Sequence, residues 1–269
     1  MSRKPSVYRL TESALLIAVA AVLSVLKIVD MPAGGSVTAC SMLPLLLIAY
    51  RHGTRWGLFS AFTYGLVQLL LGLDNFSYAT SFAAVVVIAV FDYLLAFLAL
   101  GLGGIFRRTL SQGAALGWAA VISSVIRYLC HVITGCTVWA GLSVPTAQAM
   151  AYSLSYNATY MIPETILLVF GAVTISRLLS FDSTLITRAP RIRNTSPLVG
   201  TLSVLAKLVL LATVTGLIIY IAPLTQNAES GELFLAGLKN LNVVGVLLTV
   251  VIGGGSSAVL EVISRRLSK

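Results

Sequence analysis

The sequence predicts an all-α membrane protein, a bundle of helices that crosses the bilayer several times. Of its 269 residues, 58% are hydrophobic and only 10% are charged, whereas a soluble globular domain carries about 25% charged residues. Its apolar residues form runs near the length of about 20 residues that a membrane-crossing helix needs. Short loops separate these runs, and alternate loops are basic. The composition therefore excludes an ordinary soluble enzyme and predicts about eight helices.

The N-terminal half contains four of the predicted helices. The first, 12–28, follows a basic start, and we interpret it as a retained helix rather than a cleaved signal because more spans follow. The second is short, with Pro44 near its beginning. The third and fourth cover about 56–73 and the apolar stretch that ends at 106. The loop 31–38, between the first and second helices, contains adjacent glycines, which permit unusual backbone angles.

The C-terminal half contains four further helices and the best candidate for a domain boundary. The fifth and sixth helices flank a short break near Pro145, and the final two cover about 198–222 and 243–263. Between these pairs lies a polar, basic segment with two prolines. The predicted organisation is a membrane domain at 1–180, a basic cytoplasmic linker at 181–197, and an additional two-helix transmembrane segment at 198–269.

The distribution of positive charge predicts the topology. Fourteen of the 18 basic residues lie in the N-terminal segment, the C-terminal segment and alternate loops. This asymmetry places both termini in the cytoplasm, since basic loops stay on that side of a membrane. The net charge of +9 is thus explained by topology, and we expect no nucleic-acid partner.

Polar residues concentrate in the fifth and sixth helices, where they are costly at membrane depth and therefore mark a functional site. Two sets recur at helical spacing, and each set lies along one helix face. The sets are Arg127, His131, Gly135 and Trp139, and then Ser153, Asn157, Tyr160 and Glu164. Adjacent helices with polar faces predict the wall of a pocket. The predicted topology opens this pocket outward, near Trp139 and Tyr152.

The residue types in this region favour an organic cation as the ligand. Asp92 is an acid far from either end of its span, and aromatic residues surround the predicted pocket. Ring faces attract cations, and a carboxylate neutralises them. Three structural alternatives stay open. Trp139 and Tyr152 fit an interfacial aromatic belt, Asp92 fits an ion pair with Arg127, and Glu164 fits an interhelical contact.

The sequence contains no pattern for catalysis or for metal binding. Its three cysteines, Cys40, Cys130 and Cys136, form no metal-ligand spacing and no disulfide framework. Cys130 and His131 are neighbours that point about 100° apart on a helix, so they form no nucleophile–base pair. We therefore predict a protein without enzymatic activity, metal or cofactor.

Several ordered blocks resemble one known family. The blocks are MPAGGSV, SMLP, AYRHG, FDYLLAF, LGLGG, RYLCHVITG and YSLSYNATYMIPE, within about residues 10–180. They are similar to the thiamine-specific substrate-binding component, or S component, of energy-coupling factor (ECF) transporters. The resemblance implies a six-helix core, here followed by two extra helices, in the bacterial cytoplasmic membrane. It also implies capture of thiamine from outside with high affinity and no chemistry on the vitamin.

The resemblance further implies partners and residue roles. The partners are a transmembrane coupling protein and two ATPase subunits, which use the ATP. Small residues on the first helix, Ala14 and Ala18, would dock the coupling protein. The ligand-binding residues would be Asp92, Tyr93, His131, Gly135, Trp139, Tyr152 and Asn157. Asp92 is one methylene shorter than the glutamate of some members, and the first outer loop has no lid tryptophan.

Two alternative functions remain at this stage. The same transport machinery could carry a thiamine precursor or another vitamin. A proton-coupled secondary transporter of an organic cation would instead use Asp92 and His131 as a proton relay. The sequence has no inverted repeat of the kind that such transporters contain. Dependence of uptake on ATP or on the proton gradient separates the two classes.

Overall fold

The structure, a computed structural model, places helices along most of the chain and confirms the predicted all-α class. It describes residues 6–31, 34–138, 147–181, 185–189, 197–221, 224 and 239–267. The chain forms two compact units, residues 1–188 and 189–269. The division falls inside the segment 181–197, whose role as a cytoplasmic linker stays a prediction.

The first unit is a helical bundle with a small β-hairpin inserted after its first helix. Its elements are α1 (Ser6–Val25), β1 (Lys27–Asp30), β2 (Ser36–Thr38), α2 (Leu43–His52), α3 (Thr54–Leu71), a 3-10 helix (Leu73–Tyr78), a fourth helix (Phe82–Gly104), α6 (Gln112–Val138), α7 (Ala147–Leu178), β3 (Leu179–Ser180) and β4 (Thr187–Arg188). Both strand pairs are antiparallel.

The fourth helix changes its winding along its length. It begins as α4 (Phe82–Val87), widens into a π-helical segment (Ile88–Leu95), returns to α5 (Ala96–Leu98) and ends as a tight 3-10 turn (Ala99–Gly104). The π-helical segment holds Asp92 and Tyr93. Such segments are rare, and those that occur are frequently found at functional sites. The winding therefore marks this part of the helix as a candidate site.

Small residues let the end of the fourth helix pack against α2 and α3. A Cβ added at Gly103 would lie 2.6 Å from the Leu46 carbonyl oxygen, and one at Gly101 would lie 2.5 Å from the Leu58 backbone. Backbones approach this closely only where no side chain intervenes. The LGLGG block therefore builds the scaffold rather than the ligand site.

The outer surface of the bundle is apolar, as a membrane protein requires. Five helices in the described part of the chain are long and apolar enough to cross a membrane: Val7–Val25, Phe82–Gly104, Gln112–Val138, Ala149–Leu178 and Val243–Ser264. Large apolar side chains such as Leu15, Phe59 and Ile162 point outward. The ten-residue α2 rises only about 15 Å and is too short to cross a core of about 30 Å.

A buried ion cluster joins α1 to α2. The Glu12 carboxylate lies 2.6 Å from Arg51 Nε and 2.7 Å from His52 Nε2, and both basic side chains are fully buried. Arg51 also donates to the carbonyl of Phe181 at 3.1 Å. Nearby, Arg9 lies over the Trp56 ring, 4.3 Å from its centroid. The sequence explains Arg51 by the membrane topology. The structure shows that Arg51 and His52 also hold α1 and α2 together.

The second unit is a helical hairpin formed by α8 (Pro197–Ile221) and a second run made of α9 (Val243–Thr249), a π-helical segment (Val250–Gly254) and α10 (Gly255–Leu267). Ser257 and Ser264 donate to the carbonyls of Ala206 and Val199, at 2.7 and 3.0 Å. This pairing makes the two runs antiparallel. Hydroxyls that bond the facing backbone are a common means of joining helices in lipid.

Replacing Glu12 by Gln should destabilise the first unit. Breaking a buried ion pair leaves the other charge uncompensated and costs about 3–5 kcal/mol. Thermal unfolding in detergent measures the effect. Lys27→Gln is the matched control, because the Lys27–Asp30 pair is 44% and 62% exposed and such pairs contribute about 0–1 kcal/mol. Equal shifts for both variants would contradict the structural role of the Glu12 cluster.

Candidate functional site

A cavity of about 540 Å³ lies inside the first unit. Its walls come from α1, the β1–β2 hairpin, α3, the fourth helix, α6 and α7. The volume falls within the range of about 300–1,000 Å³ that small-molecule sites occupy. Both predicted polar faces reach this cavity: Arg127, His131 and Gly135 on α6, and Ser153, Asn157, Tyr160 and Glu164 on α7.

The structure brings together most of the residues that the sequence and the family resemblance single out. Six of the seven predicted ligand-binding residues line the cavity: Asp92, Tyr93, His131, Gly135, Tyr152 and Asn157. The seventh, Trp139, lies outside the described residues. Ala14 and Ala18, the predicted docking residues, lie on the exposed surface of α1 and are not part of the cavity.

Asp92 pairs with His131 across the cavity wall. Its Oδ1 lies 2.8 Å from His131 Nδ1, and the two side chains are 26% and 14% exposed. The structural alternative was an ion pair between Asp92 and Arg127. These two residues are both described by the structure and form no such pair. The remaining carboxylate surface of Asp92 faces the cavity, where it can attract a positive charge.

Aromatic rings from α7 form one side of the cavity. Tyr152 stacks on Tyr156 with ring centroids 5.8 Å apart, and Tyr156 meets Tyr160 edge to face at 6.1 Å. His131 from α6 lies 6.3 Å from Tyr160, again edge to face. Residues spaced by four along a helix share a face, so the sequence spacing of these tyrosines produces the aromatic wall directly.

Asn157 holds α6 and α7 together beside the cavity. Its Nδ2 donates to the carbonyls of Ser153 and His131, at 2.9 and 3.3 Å, and its Oδ1 accepts a hydrogen bond from the Tyr160 hydroxyl at 2.6 Å. Ser153 adds a hydrogen bond to the Val132 carbonyl at 2.8 Å. These contacts fix the orientation of the wall before any ligand arrives.

Tyr93 is held by the segment that follows α3. Its hydroxyl donates to the Gly72 carbonyl at 3.0 Å and accepts from Asn75 Nδ2 at 2.8 Å. Its ring stacks on Phe76 with centroids 6.0 Å apart. The 3-10 helix therefore positions Tyr93, although its sequence, LDNFSY, shows no pattern that predicts this contact.

The β1–β2 hairpin follows α1 in the chain, borders the cavity and is anchored on α7. The Glu164 carboxylate accepts hydrogen bonds from the Thr38 amide and hydroxyl, at 2.6 and 2.7 Å. Tyr156 donates to the Gly34 carbonyl at 2.8 Å. Gly35 has φ of +88°, and any Cβ there would strike the Tyr160 ring. Gly35 is thus required by both backbone angle and close approach, and Gly34, with φ of +83°, by backbone angle.

Several other cavity residues were not predicted from the sequence. Gln68 from α3 donates to Ser24 of α1 at 2.9 Å, while Lys27 and Asp30 of the hairpin also line the cavity. Gln68 is a polar residue within an apolar helix, and that feature alone could have marked it. The hairpin residues offered no such pattern, because their contribution depends on how the strands fold back over α7.

The arrangement suits recognition of a flat organic cation rather than catalysis. It combines a carboxylate, Asp92, with several ring faces and with hydrogen-bonding groups held in place by the helices. Cations over aromatic faces are attracted by the ring quadrupole, most strongly where water is excluded. Among the described residues, no group of three or more His, Cys, Asp or Glu side chains is placed to hold a metal ion.

Comparison with known proteins finds a family match that lies within the first unit. The thiamine transporter protein family (Thia_YuaJ) matches residues 10–182. The thiamine transporter ThiT of Bacillus subtilis (strain 168) is 33% identical over 198 residues, covering 68% of this chain and 99% of that protein. A solved structure of ThiT from Listeria monocytogenes is 23% identical, covers 62% of this chain and 88% of its own, and has a TM-score of 0.44.

Replacing Gly135 by Ala should loosen the contact between α6 and α7. The added Cβ would overlap the Ser153 hydroxyl and lie 3.1 Å from Ser153 Cβ, and such overpacking costs about 1–3 kcal/mol. Thermal unfolding in detergent should show a lower midpoint. Gly113→Ala is the matched control, because its nearest neighbour would be Ser176 Cβ at 3.7 Å and alanine favours a helix. The interpretation would be contradicted if Gly135→Ala left the midpoint unchanged, or if Gly113→Ala lowered it as much as Gly135→Ala does.

Proposed function

Because the chain belongs to the thiamine transporter protein family, we propose that it is a high-affinity thiamine-binding S component of an ECF-type uptake system. The family consists of transporters, so the chain is a multi-pass membrane transporter and not an enzyme. In the proposed function, the first unit captures thiamine from outside the cell. The two termini lie in the cytoplasm, as the basic loops predict.

The observation that carries this proposal is the Asp92 carboxylate beside an aromatic wall in one cavity. Thiamine combines a cationic thiazolium ring with an aminopyrimidine ring. The carboxylate neutralises the cation, and the faces of His131 and the α7 tyrosines offer contact to both rings. His131 fixes the carboxylate at 2.8 Å, so little side-chain freedom is lost when the ligand binds.

Each predicted residue has a distinct role in the proposed complex. Asp92 and Tyr93 face the ligand from the π-helical segment, and His131 flanks its rings together with Trp139. Gly135 lines the cavity, and its lack of a side chain lets Ser153 of α7 approach closely, so that α7 can present its side chains to the rings. Tyr152 and Asn157 contact the ligand from α7. Asp92 is one methylene shorter than the glutamate of some members, and a π-helical turn carries it.

Transport requires partners in this proposal. We assign ATP hydrolysis to two ATPase subunits and the docking of the S component to a transmembrane coupling protein. The exposed face of α1 supports the docking role, since Ala14 and Ala18 are exposed one turn apart. Small residues at this spacing let another helix approach closely in lipid.

A proton-coupled transporter of an organic cation is the second candidate, and the direct Asp92–His131 contact favours it. A paired acid and histidine at membrane depth is a common element of proton relays. A thiamine precursor or another vitamin remains a third candidate ligand for the same cavity. Uptake that stops when ATP is removed, and persists when the proton gradient is collapsed, would separate the S component from the relay.

Calorimetric titration of thiamine into the detergent-purified chain tests the proposal directly. Thiamine should bind tightly, one to one, with no ATPase present, while riboflavin and biotin should give no heat of binding. Absence of thiamine binding would overturn the assignment. Binding of the pyrimidine precursor in preference to thiamine would reassign the ligand.

Replacing Asp92 by Asn should weaken thiamine binding about 30-fold or more. Removal of one partner of a buried charge pair costs about 2–5 kcal/mol, which corresponds to at least this change in affinity. Calorimetry measures the dissociation constant. Asp74→Asn is the control, since Asp74 lies on an exposed turn and does not line the cavity. An unchanged affinity for Asp92→Asn would remove the carboxylate from the site.

Replacing Ala14 by Trp should abolish uptake and leave thiamine binding intact. The indole would block the close approach of a partner helix to α1, whereas the residues of α1 that line the cavity, Ser24 and Val25, lie about three turns further along that helix. Uptake into cells and calorimetry on the purified chain measure the two effects separately. Leu70→Trp, at a position on α3 that is 66% exposed, is the control. Normal uptake by Ala14→Trp would show that docking occurs elsewhere.

A further inference from the structure

We propose that Arg127 recognises the primary alcohol on the side arm of thiamine, by donating hydrogen bonds from its guanidinium to the alcohol oxygen. This inference rests on the proposed function and assigns a residue to one end of the ligand. Neither the aromatic wall nor Asp92 accounts for that end.

Arg127 is a buried cation that the protein leaves partly without partners. It is 4% exposed and lines the cavity. Its Nε is buried, and the described residues place no hydrogen-bond acceptor within reach of it. Its Nη1 contacts the sulfur of Met42, which is a weak acceptor. The guanidinium also lies 5.1 Å from the centroid of the Phe97 ring.

Two other buried charged groups in this unit have ionic or hydrogen-bonding partners. Glu164 receives two hydrogen bonds from Thr38, at 2.6 and 2.7 Å. Arg51 has both the Glu12 carboxylate and the Phe181 carbonyl. A buried donor without an acceptor is destabilising, so the fold keeps Arg127 at a cost. A ligand oxygen that enters the cavity would remove that cost on binding.

The position of Arg127 fits the geometry of the proposed complex. It precedes His131 by four residues, so it lies on the same face of α6 and about 6 Å along the helix axis. Asp92 and His131 mark the place of the thiazolium ring in the proposed function. The hydroxyethyl arm of thiamine extends from that ring, and it can reach toward Arg127 while the ring stays beside the carboxylate.

The charges around the cavity favour an uncharged oxygen over an anion. Three carboxylates line the same cavity as Arg127: Asp30, which pairs with Lys27, and Asp92 and Glu164. A phosphate group would meet the repulsion of these carboxylates, whereas an alcohol oxygen accepts a hydrogen bond without adding charge. Hydrogen bonds from a charged donor are about twice as strong as those between neutral groups.

The test compares three ligands on three detergent-purified chains by calorimetry. The ligands are thiamine, its analogue with hydrogen in place of the hydroxyl, and thiamine monophosphate. The chains are the wild type, Arg127→Met and Arg127→Lys. The wild type should bind thiamine about 10- to 100-fold more tightly than the analogue that lacks the hydroxyl. Arg127→Met should bind these two equally, and Arg127→Lys should keep part of the difference.

Three results would overturn the assignment. The wild type could bind thiamine and its analogue equally, or Arg127→Met could retain the full difference between them. Alternatively, the monophosphate could bind the wild type most tightly and lose that advantage in Arg127→Met, which would make the site one for anions. If Arg127→Met does not fold, the wild type and Arg127→Lys still decide. If the wild type binds none of the three ligands, the proposed function fails first.

Discussion

The Glu164 carboxylate joins the β1–β2 hairpin to α7, and the shape of the cavity depends on this contact. Lipid offers no hydrogen bonds, so every polar group inside the bundle must find its partner in the protein. Glu164 meets this requirement by accepting from both the amide and the hydroxyl of Thr38. The hairpin is thereby placed against the tyrosines of α7, where Tyr156 binds the Gly34 carbonyl. Without this anchor, one wall of the cavity would have no fixed position.

The same requirement explains why four of the blocks that resemble the family divide into two groups, one that packs the helices and one that lines the cavity. AYRHG and LGLGG pack α2, α3 and the fourth helix together through small residues and a buried ion cluster. RYLCHVITG and YSLSYNATYMIPE carry the side chains that line the cavity. LGLGG is small and apolar because backbones must meet there, whereas AYRHG supplies the basic side chains of the ion cluster. The cavity blocks are polar and aromatic because a ligand must be held.

The second unit is held together by polar contacts between its helices, as the first unit is, and the described residues that line the cavity all belong to the first unit. Its two runs are joined by serine hydroxyls that bond the facing backbone and by Ser203, which donates to Glu261 at 3.1 Å. The family match ends at residue 182, before this unit begins. The match to the Bacillus subtilis relative covers 99% of that protein and 68% of this chain.

The sequence by itself determined the class of the protein, the approximate number of helices in the first unit and both polar faces of the cavity. These features depend on composition and on a period of 3.6 residues, which are local properties of the chain. It also brought Asp92, His131 and Asn157 forward as site residues, because polar groups in apolar helices stand out. Only the tertiary structure decided that Asp92 pairs with His131, that Glu164 binds the hairpin and that Arg127 keeps an unsatisfied donor. Those facts depend on contacts between residues far apart in the chain, whose geometry follows from packing and not from spacing.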